Sequence, residues 1–318
     1  MPTVETVNGP VEADQLGRTL IHEHFRTTDE ATRFQFPHLY DEAAEWEAAL
    51  ADANAVKSNG IQTVVEPSAM FLQRDATFSK RVADETGLQV VLATGVYTYD
   101  HLPQPLMNRD EDALAEIFVH DIEQGIQGTG IKAAFLKCAA DEPGLTPNVE
   151  KVHRACARAS QRTGRPIMAH SHAGSQTGLE QMRVFEEEGV DPAKVQIAHT
   201  GDTDDLDYIE KLLERGAFIG MDRYGLDIFL PTDQRNATVL ALLERGHADR
   251  MFLSQDFCST IDWFPPEVQQ QLKEQVVPKW GMTFLFDEVI PYLTDNGMSQ
   301  EQLDEMMVEN PKRWLAGS

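Results

Sequence analysis

The sequence contains little cysteine, and its three cysteines lie far apart. Cys138, Cys156 and Cys258 are the only thiols among 318 residues. Thiols that are so few and so scattered exclude a disulfide framework and a thiolate metal cluster. Any metal must therefore be held by histidines and carboxylates.

Basic residues are also scarce. The chain has 27 lysines and arginines against 52 aspartates and glutamates, which gives a net charge of -25. Such a charge repels nucleic acid and anionic membrane surfaces, so we expect neither as a partner. The acidity does not identify a substrate, because a salt-rich habitat and a merely soluble acidic surface explain it equally well.

Long apolar runs are absent. The hydrophobic fraction of 42% is that of an ordinary globular protein, and no run approaches the roughly 18 apolar residues that a membrane span requires. Residues 1–17 have neither the basic start nor the apolar stretch of a secretory signal. We expect a soluble protein with a cytoplasmic location.

Short apolar or β-branched runs alternate with helical segments, a pattern typical of βα units around a parallel sheet. Eight such runs are predicted as strands: Thr19–His24, Ile61–Glu66, Leu88–Gly95, Ile131–Lys137, Pro166–His170, Val195–His199, Ala217–Arg223 and Met251–Asp256. Six glycines lie just before a strand, where left-handed C-caps are expected: Gly60, Gly87, Gly130, Gly164, Gly216 and Gly246. This regularity predicts one (β/α)8 barrel domain over residues 1–318, a usual size for such a barrel.

Three segments depart from this rhythm. Residues 3–16 predict a small hairpin that covers the bottom of the barrel. A stretch from about 257 to 280, with three prolines, predicts a long active-site loop. A helix near Ser299 to Leu315 is predicted as an addition at the C-terminus.

Residues of the metal-binding type recur where predicted strands end. His22 and His24 form an H-x-H pair at the end of the first strand, so both side chains point to the same side. Such a pair alone is weak evidence, since many are structural. Four similar residues lie at the ends of later strands: Lys137, His170, His199 and Asp256. Because barrel active sites are built at this end, the sequence predicts a metal site there.

Lys137 is the unusual member of this set. An ammonium group between dications would be repelled, and metal ligands must be deprotonated. Reaction of the amine with carbon dioxide would give an N6-carboxylysine, a carbamate whose two oxygens bridge two ions. A structural salt bridge is the alternative, but the apolar neighbours Phe135, Leu136 and Cys138 disfavour a solvated lysine.

Five motifs resemble those of the phosphotriesterase family in the amidohydrolase superfamily, and the resemblance covers essentially the whole chain. They are LIHEH (20–24), IKAAFLKCA (131–139), PIMAHSHAG (166–174), QIAHTGDTDD (196–205) and FLSQDF (252–257). Within that family, three stretches look most like those of the phosphotriesterase-like lactonases. These are GVYTYD (95–100), GMDRYGLD (220–227) and DFCSTIDWF (256–264).

The resemblance implies two divalent metal ions with separate ligands: His22, His24 and Asp256 on one ion, and His170 and His199 on the other. A carboxylated Lys137 and a hydroxide would bridge the pair. Family members use zinc, cobalt, iron or manganese, and nitrogen and oxygen ligands of this kind do not choose among them. The resemblance also implies a homodimer.

A mechanism follows from this arrangement. Two such ions would lower the pKa of a bridging water, so that hydroxide would be present at neutral pH to attack the ester or lactone carbonyl. The ion on His170 and His199 would stabilise the developing oxyanion, and Asp256 would pass the proton to the leaving alkoxide. In the lactonases, a tyrosine matching Tyr97 and an arginine matching Arg223 line the site.

Both of these last residues have a plainer interpretation. Tyr97 is expected to orient the carbonyl or the hydroxide, but a tyrosine after a barrel strand often only packs. Arg223 is expected to position loops or polar substrate groups. An arginine there also often pairs with a nearby acid, such as Asp222 or Asp227.

Apolar residues crowd the segments after the seventh and eighth predicted strands, where an acyl chain would lie. The candidate pocket residues are Leu226, Ile228, Phe229, Phe257, Ile261, Trp263 and Phe264. Cys258 has no obvious base beside it and is expected to line the pocket.

Gln255 departs from the family pattern. Many relatives have a histidine directly before the metal aspartate, and any role of that histidine near the metal is in doubt for this chain.

The resemblance favours hydrolysis of lactones, above all N-acyl-homoserine lactones, which is a quorum-quenching activity. Promiscuous hydrolysis of organophosphate triesters is expected beside it. A dedicated phosphotriesterase is the close alternative, because only pocket shape separates the two. Tyr97 and the apolar eighth loop favour the lactonase. A non-catalytic metal-binding sensor is the alternative from a different class, and turnover of any lactone would exclude it.

Overall fold

Eight parallel strands form a nearly closed barrel in the computed structural model, which describes residues 2–317. Each strand pairs with the one before it in the chain, so the spatial order follows the sequence. The strands are β3 (Thr19–Leu20), β4 (Thr63–Glu66), β5 (Gln89–Gly95), β6 (Phe135–Ala139), β7 (Ile167–His170), β8 (Val195–Ala198), β9 (Phe218–Met221) and β10 (Met251–Leu253). The predicted (β/α)8 barrel is confirmed.

Helices connect the strands around the outside of the barrel. They are α1 (Glu30–Gln35), α2 (Glu42–Ser58), α3 (Ala76–Thr86), α4 (Gln104–Met107), α5 (Glu111–Glu123), α6 (Pro147–Thr163), α7 (Thr177–Glu187), α8 (Leu206–Glu214), α9 (Thr232–Glu244), α10 (Pro266–Gln271), α11 (Ile290–Asp295), α12 (Gln300–Asp304) and α13 (Asn310–Ala316). Aspartate side chains cap the first turns of several helices, as Asp41 does for α2 and Asp75 for α3. A π-helical segment, Glu305–Glu309, joins α12 to α13, so the predicted C-terminal helix is present.

The six glycines that precede strands all have positive φ, between 72° and 93°. The left-handed turns predicted at these positions are therefore confirmed. All eight barrel strands are shorter than predicted, and β6 begins at Phe135 instead of Ile131. The Ile131 carbonyl accepts from Ile126, and the Ala133 amide donates to Asp121. These backbone groups are bonded to the preceding helix and turn, so they do not join the sheet.

Contacts after β3 and β10 bring the two edges of the barrel together. The Asp256 amide donates to the His22 carbonyl (3.0 Å), and the His24 amide donates to the Phe257 carbonyl (2.8 Å). The buried Glu23 carboxylate accepts from the amides of Gln255 (2.9 Å) and Phe257 (2.8 Å). The residue between the two histidines thus holds the segment that carries Asp256.

The opposite end of the barrel is covered by the predicted hairpin, β1 (Thr3–Thr6) and β2 (Gly9–Glu12), and by α13. Val4 and Trp314 belong to one buried cluster with inward-facing strand residues such as Phe135 and Phe252. The Trp314 indole donates to the carbonyl of Lys194, directly before β8 begins. Apolar packing therefore closes this end and leaves the carboxyl ends of the strands for chemistry.

The stretch from 257 to 280, predicted as a loop, contains α10 and a π-helical turn, Leu272–Val276. Among residues 2–317, none of the helices has the length and apolar character needed to cross a membrane.

Candidate metal centre

The carboxyl ends of the strands bring the six candidate ligands together in the barrel mouth. Five of them are at most 4% exposed, and the Asp256 side chain is 13% exposed. Asp256 Oδ1 lies 3.3 Å from His22 Nε2 and 3.2 Å from His24 Nε2. Its other oxygen, Oδ2, lies 3.8 Å from His199 Nε2. Ligand atoms of His22, His199 and Asp256 all lie within 4.8 Å of one another, close enough to surround one ion or two neighbouring ions.

His199 and Asp256 occupy the left-handed region of backbone conformation, with φ of 64° and 51°. Residues other than glycine adopt it rarely and at a cost of about 1–3 kcal/mol, and such strained residues cluster at functional sites. Each residue lies just after a strand, where the chain leaves the sheet.

One carboxylate, that of Asp222, contacts two of the histidines. Its Oδ2 lies 3.0 Å from His22 Nδ1, and its Oδ1 lies 3.1 Å from His199 Nδ1. A carboxylate only accepts hydrogen bonds, so each Nδ1 carries the proton and each Nε2 keeps a lone pair. Both rings therefore present Nε2 to the interior of the site.

The other two histidines have separate partners. His24 Nδ1 lies 3.0 Å from Glu66 Oε1 and 2.9 Å from Ser68 Oγ, so this ring also presents Nε2. His170 is reversed, because its Nε2 lies 3.1 Å from Asp141 Oδ2 and its Nδ1 is left for the site. Carboxylates behind metal-binding histidines commonly fix the tautomer in this way.

The Nε2 atom of His199 tests whether these residues fit a metal. It is buried and has no hydrogen-bond partner among residues 2–317. A buried polar atom without a partner costs about 1–3 kcal/mol. A divalent cation would satisfy this nitrogen, and imidazole nitrogen with carboxylate oxygen is a donor set that zinc and similar ions accept. The residues present therefore fit a divalent metal.

Lys137 lies inside the barrel and is 1% exposed. Its Nζ is 3.2 Å from His22 Nε2 and 3.3 Å from Met168 Sδ. None of the ion pairs within residues 2–317 involves Lys137. The structural salt bridge that the sequence left as an alternative is therefore not observed. Burial lowers the pKa of this amine to about 8.

The protonation states suit cation binding at most of these residues. Burial lowers the pKa of His170 to about 4 and that of His199 well below its usual range. Burial alone would raise the pKa of Asp256, but His22 and His199 hold it well below the usual range. Burial would also lower the pKa of His24, yet Asp256 and Glu66 raise it to about 9. A metal ion would displace the proton of His24.

Arg223 contacts Asp256 directly. Its Nε donates to Asp256 Oδ2 (2.9 Å), and its Nη1 donates to Asp202 Oδ2 (3.0 Å). Arg223 therefore does pair with acids, as its plainer interpretation expected, but neither acid is Asp222 or Asp227. Asp222 faces the histidines instead, and Asp227 pairs with a lysine later in the chain.

Tyr97 is half-buried beside His170. Its hydroxyl lies 2.5 Å from that of Tyr99 and 3.4 Å from His170 Nδ1. Burial raises the pKa of Tyr97 well above its usual value, so the group stays a neutral donor.

A cavity of about 220 Å³ opens over the six candidate ligands, and Tyr97 and Arg223 line it. Its wall includes most of the expected apolar residues: Leu226, Ile228, Phe229, Cys258, Ile261, Trp263 and Phe264. Phe257 does not line this cavity: it packs against Trp280 with ring centroids 5.1 Å apart and instead lines a neighbouring cavity of about 770 Å³. The Gln255 side-chain amide accepts from Leu285 and donates to Met282, so it anchors the following segment; within residues 2–317 it forms no hydrogen bond to a candidate ligand.

Comparison with known proteins gives the family. The family model described as "Phosphotriesterase family" matches residues 2–315. The chain belongs to the phosphotriesterase family. Enzymes of this family are hydrolases of esters or phosphoesters with a binuclear metal centre, and the histidine and aspartate cluster agrees with such a centre.

Two relatives and one solved structure are similar to this chain over nearly its whole length. An "Aryldialkylphosphatase" from Saccharolobus solfataricus is 47% identical over 96% of this chain and 97% of its own. A "Phosphotriesterase homology protein" from Mycobacterium tuberculosis is 43% identical over 98% of this chain and 97% of its own. The solved phosphotriesterase from Mycobacterium tuberculosis has a TM-score of 0.94 at 41% identity, covering 99% and 98% of the two chains.

Sequence reasoning missed several residues around the centre of this phosphotriesterase-family chain. Glu66 ends β4 and Asp222 directly follows β9, so a carboxylate closing an apolar strand is a signal that would have found both. Asp141 and Asp202 lie in connecting segments and carry no such signal. Their contacts depend on how the loops fold over the barrel.

Proposed function

We propose that the chain is a binuclear metal hydrolase that opens lactone rings, N-acyl-homoserine lactones among them, and hydrolyses organophosphate triesters more slowly. The observation that carries the proposal is the convergence of six candidate ligands beneath an apolar cavity that Tyr97 also lines. The apolar wall is suited to an acyl tail, and the tyrosine hydroxyl is suited to a carbonyl oxygen.

The proposed ligands fall into the two groups that the family resemblance implies. His22, His24 and Asp256 would hold one ion, and His170 and His199 the other. Lys137 would lie between them as a carbamate, supported by its burial and by the lack of a carboxylate paired with it within residues 2–317. When bound, such ions lower the pKa of water and polarise a carbonyl or phosphoryl oxygen. The metal identity is left open by these ligands.

Asp256 is the proposed proton carrier. Its pKa lies well below the usual range, so the carboxylate is ionised and free to accept a proton. Its position among the candidate ligands would let it take the proton of the attacking water. The 2.9 Å hydrogen bond from Arg223 Nε holds Oδ2, and Asp202 fixes the other end of the guanidinium. Arg223 therefore orients the carboxylate that hands the proton to the departing alkoxide.

Tyr97 is the proposed donor to the carbonyl. Its hydroxyl faces His170 Nδ1 at 3.4 Å and remains protonated at neutral pH. A fixed donor aimed at the oxygen where charge develops stabilises the tetrahedral intermediate of acyl transfer. Phosphorus is tetrahedral already in the triester, whereas the lactone carbonyl is planar, so we expect the hydroxyl to be placed better for lactones.

Space for an acyl tail lies next to the site. A second cavity of about 770 Å³ shares Cys258, Ile261, Trp263 and Phe264 with the first. Trp263 and Phe264 are 52% and 50% exposed, so they form the edge between the cavities and solvent. A tail that crosses this edge would bury apolar surface, which favours binding.

A dedicated phosphotriesterase is the second candidate. The observation in its favour is the 47% identity to a protein named as an aryldialkylphosphatase. The proposed centre serves attack at carbon or at phosphorus, so the shape and donors of the cavity decide between the two.

Measurement of kcat/KM on a panel of lactones with different acyl chains, beside the triester paraoxon, tests the proposal. Metal content is measured on the same sample. The molecular mass of the protein in solution tests the expected homodimer. We expect lactone efficiency to exceed triester efficiency. The reverse order in fully metal-loaded protein would favour the dedicated phosphotriesterase.

A further inference from the structure

We propose that Asp222 is a positioning residue shared by both halves of the metal centre, so that it sets the affinity for the two ions together. The inference rests on the proposed metal centre. Its basis is the position of one carboxylate between His22 and His199, which belong to different proposed ions.

The contacts of Asp222 use both carboxylate oxygens. Oδ2 accepts from His22 Nδ1 at 3.0 Å, while Oδ1 accepts from His199 Nδ1 at 3.1 Å and from the His199 amide at 2.8 Å. Asp222 is fully buried. Among residues 2–317 its ion-pair partners are these two histidines alone, because neighbouring Arg223 is bonded to Asp202 and Asp256.

Shared acceptance couples the two rings. The carboxylate keeps the proton of each histidine on Nδ1 and leaves both Nε2 atoms bare. A carboxylate that moves toward one ring leaves the other, so the orientation of the two imidazoles is not independent. Glu66 and Asp141 differ, because each contacts a single candidate ligand, His24 or His170.

The backbone beneath Asp222 is adapted to this position. Gly220 lies in β9, and a Cβ there would lie 2.3 Å from Asp222 Oδ2 and 2.6 Å from its Cγ. Any side chain at position 220 would therefore push the carboxylate away from the histidines. The absent side chain keeps the space that the shared acceptor occupies.

Substitution of the Asp222 carboxylate by an amide tests whether one residue positions both histidines or only one of them. In Asp222→Asn, the amide has one accepting oxygen and one donating nitrogen. The nitrogen would face one Nδ1 and force that ring to protonate Nε2, while the other ring loses an ionic acceptor. Removal of such outer contacts costs about 10-fold to 100-fold in metal affinity.

The test is titration of metal-free protein with cobalt(II), followed by calorimetry and visible absorption. Wild type, Asp222→Asn and the matched variants Glu66→Gln and Asp141→Asn are compared. We expect two equivalents in wild type, both at least tenfold weaker in Asp222→Asn, and only one weakened in each matched variant. Two equivalents in wild type, with one or neither weakened by Asp222→Asn, would overturn the inference alone. Fewer than two equivalents in wild type would overturn the proposed centre as well.

Gly220→Ala gives a second test that keeps the charge. It should also weaken both equivalents, because the added methyl displaces the same carboxylate. If Asp222→Asn does not fold, this variant carries the test, and normal binding of both ions in folded Gly220→Ala would overturn the inference. In metal-free wild type, ring nitrogen NMR should show His22 and His199 protonated at Nδ1. Gly220→Ala should alter the signals of both rings, which a merely structural role would not require.

Discussion

Gly95 and Lys137 face each other on neighbouring strands, so closely that a Cβ on Gly95 would lie 1.9 Å from the Lys137 carbonyl oxygen. Gly95 has φ of 137°, which side chains rarely permit, and the following amide of Val96 donates to the same carbonyl at 3.2 Å. Lys137 on β6 can therefore occupy its position only because residue 95 on β5 is a glycine.

Gly95→Ala should therefore destabilise the protein strongly and displace Lys137. Gly60→Ala is the matched control, since Gly60 also has positive φ but open space around its Cβ. The control should cost about 1–2 kcal/mol of unfolding free energy from the left-handed conformation alone. Urea unfolding of both metal-free variants measures the difference. An equal loss in the two would mean that the contact with Lys137 imposes no constraint.

Removal of metal should abolish hydrolysis and lower the melting temperature, because ions that bind only the folded state stabilise it. A ligand present at 100 times its dissociation constant contributes about 2.7 kcal/mol. Activity and thermal unfolding after dialysis against a chelator, and again after addition of zinc, cobalt or manganese, check this. Full activity in protein shown to be metal-free would contradict the proposed centre.

Lys137→Ala should lose metal and activity together, and short carboxylates such as acetate or propionate, added with metal, should restore part of both. A carboxylate replaces a carbamate bridge, whereas it does not replace an ammonium. Metal content by mass spectrometry and lactone turnover are measured with and without the added acid. Lys137→Arg is the control for charge, and retention of both ions and normal turnover in that variant would exclude the carbamate.

Tyr97→Phe should lower kcat/KM for lactones more than for paraoxon, since the hydroxyl is aimed at a carbonyl. The loss of one such donor costs up to about 10²- to 10³-fold in rate. Kinetics on both substrates, with metal content unchanged, give the comparison. Equal losses on the two substrates would assign Tyr97 a packing role and favour the dedicated phosphotriesterase.

Trp263→Ala should weaken the dependence of lactone affinity on acyl-chain length and leave the metals in place. Each buried methylene contributes at most about 0.8 kcal/mol, and the indole covers the edge where the two cavities meet. The measured quantity is the slope of the logarithm of KM against the number of acyl-chain carbons. Phe34→Ala is the control, because Phe34 is 83% exposed and lines neither cavity. An unchanged slope in Trp263→Ala would place the acyl tail elsewhere.

Local sequence signals determined the barrel and the set of residues at its mouth. Apolar runs recur at strand spacing, and glycines such as Gly87 and Gly164 end helices because they accept positive φ. The carboxyl ends of parallel strands meet at one edge, so candidate ligands that end strands, such as His170, were predicted to lie together. These features depend on neighbours along the chain and on a repeated connection, which a sequence displays directly.

The tertiary structure alone decided which partner each side chain contacts. Asp222 lies 200 residues from His22 and joins it to His199, whereas Arg223 turns to Asp202 and Asp256. Phe257 packs on Trp280 and lines only the second cavity, whereas its neighbour Cys258 also lines the cavity over the candidate ligands. Such choices depend on distances of a few ångströms between segments remote in sequence. They are set by the closed packing of the whole barrel, because each buried polar group must find its partner there.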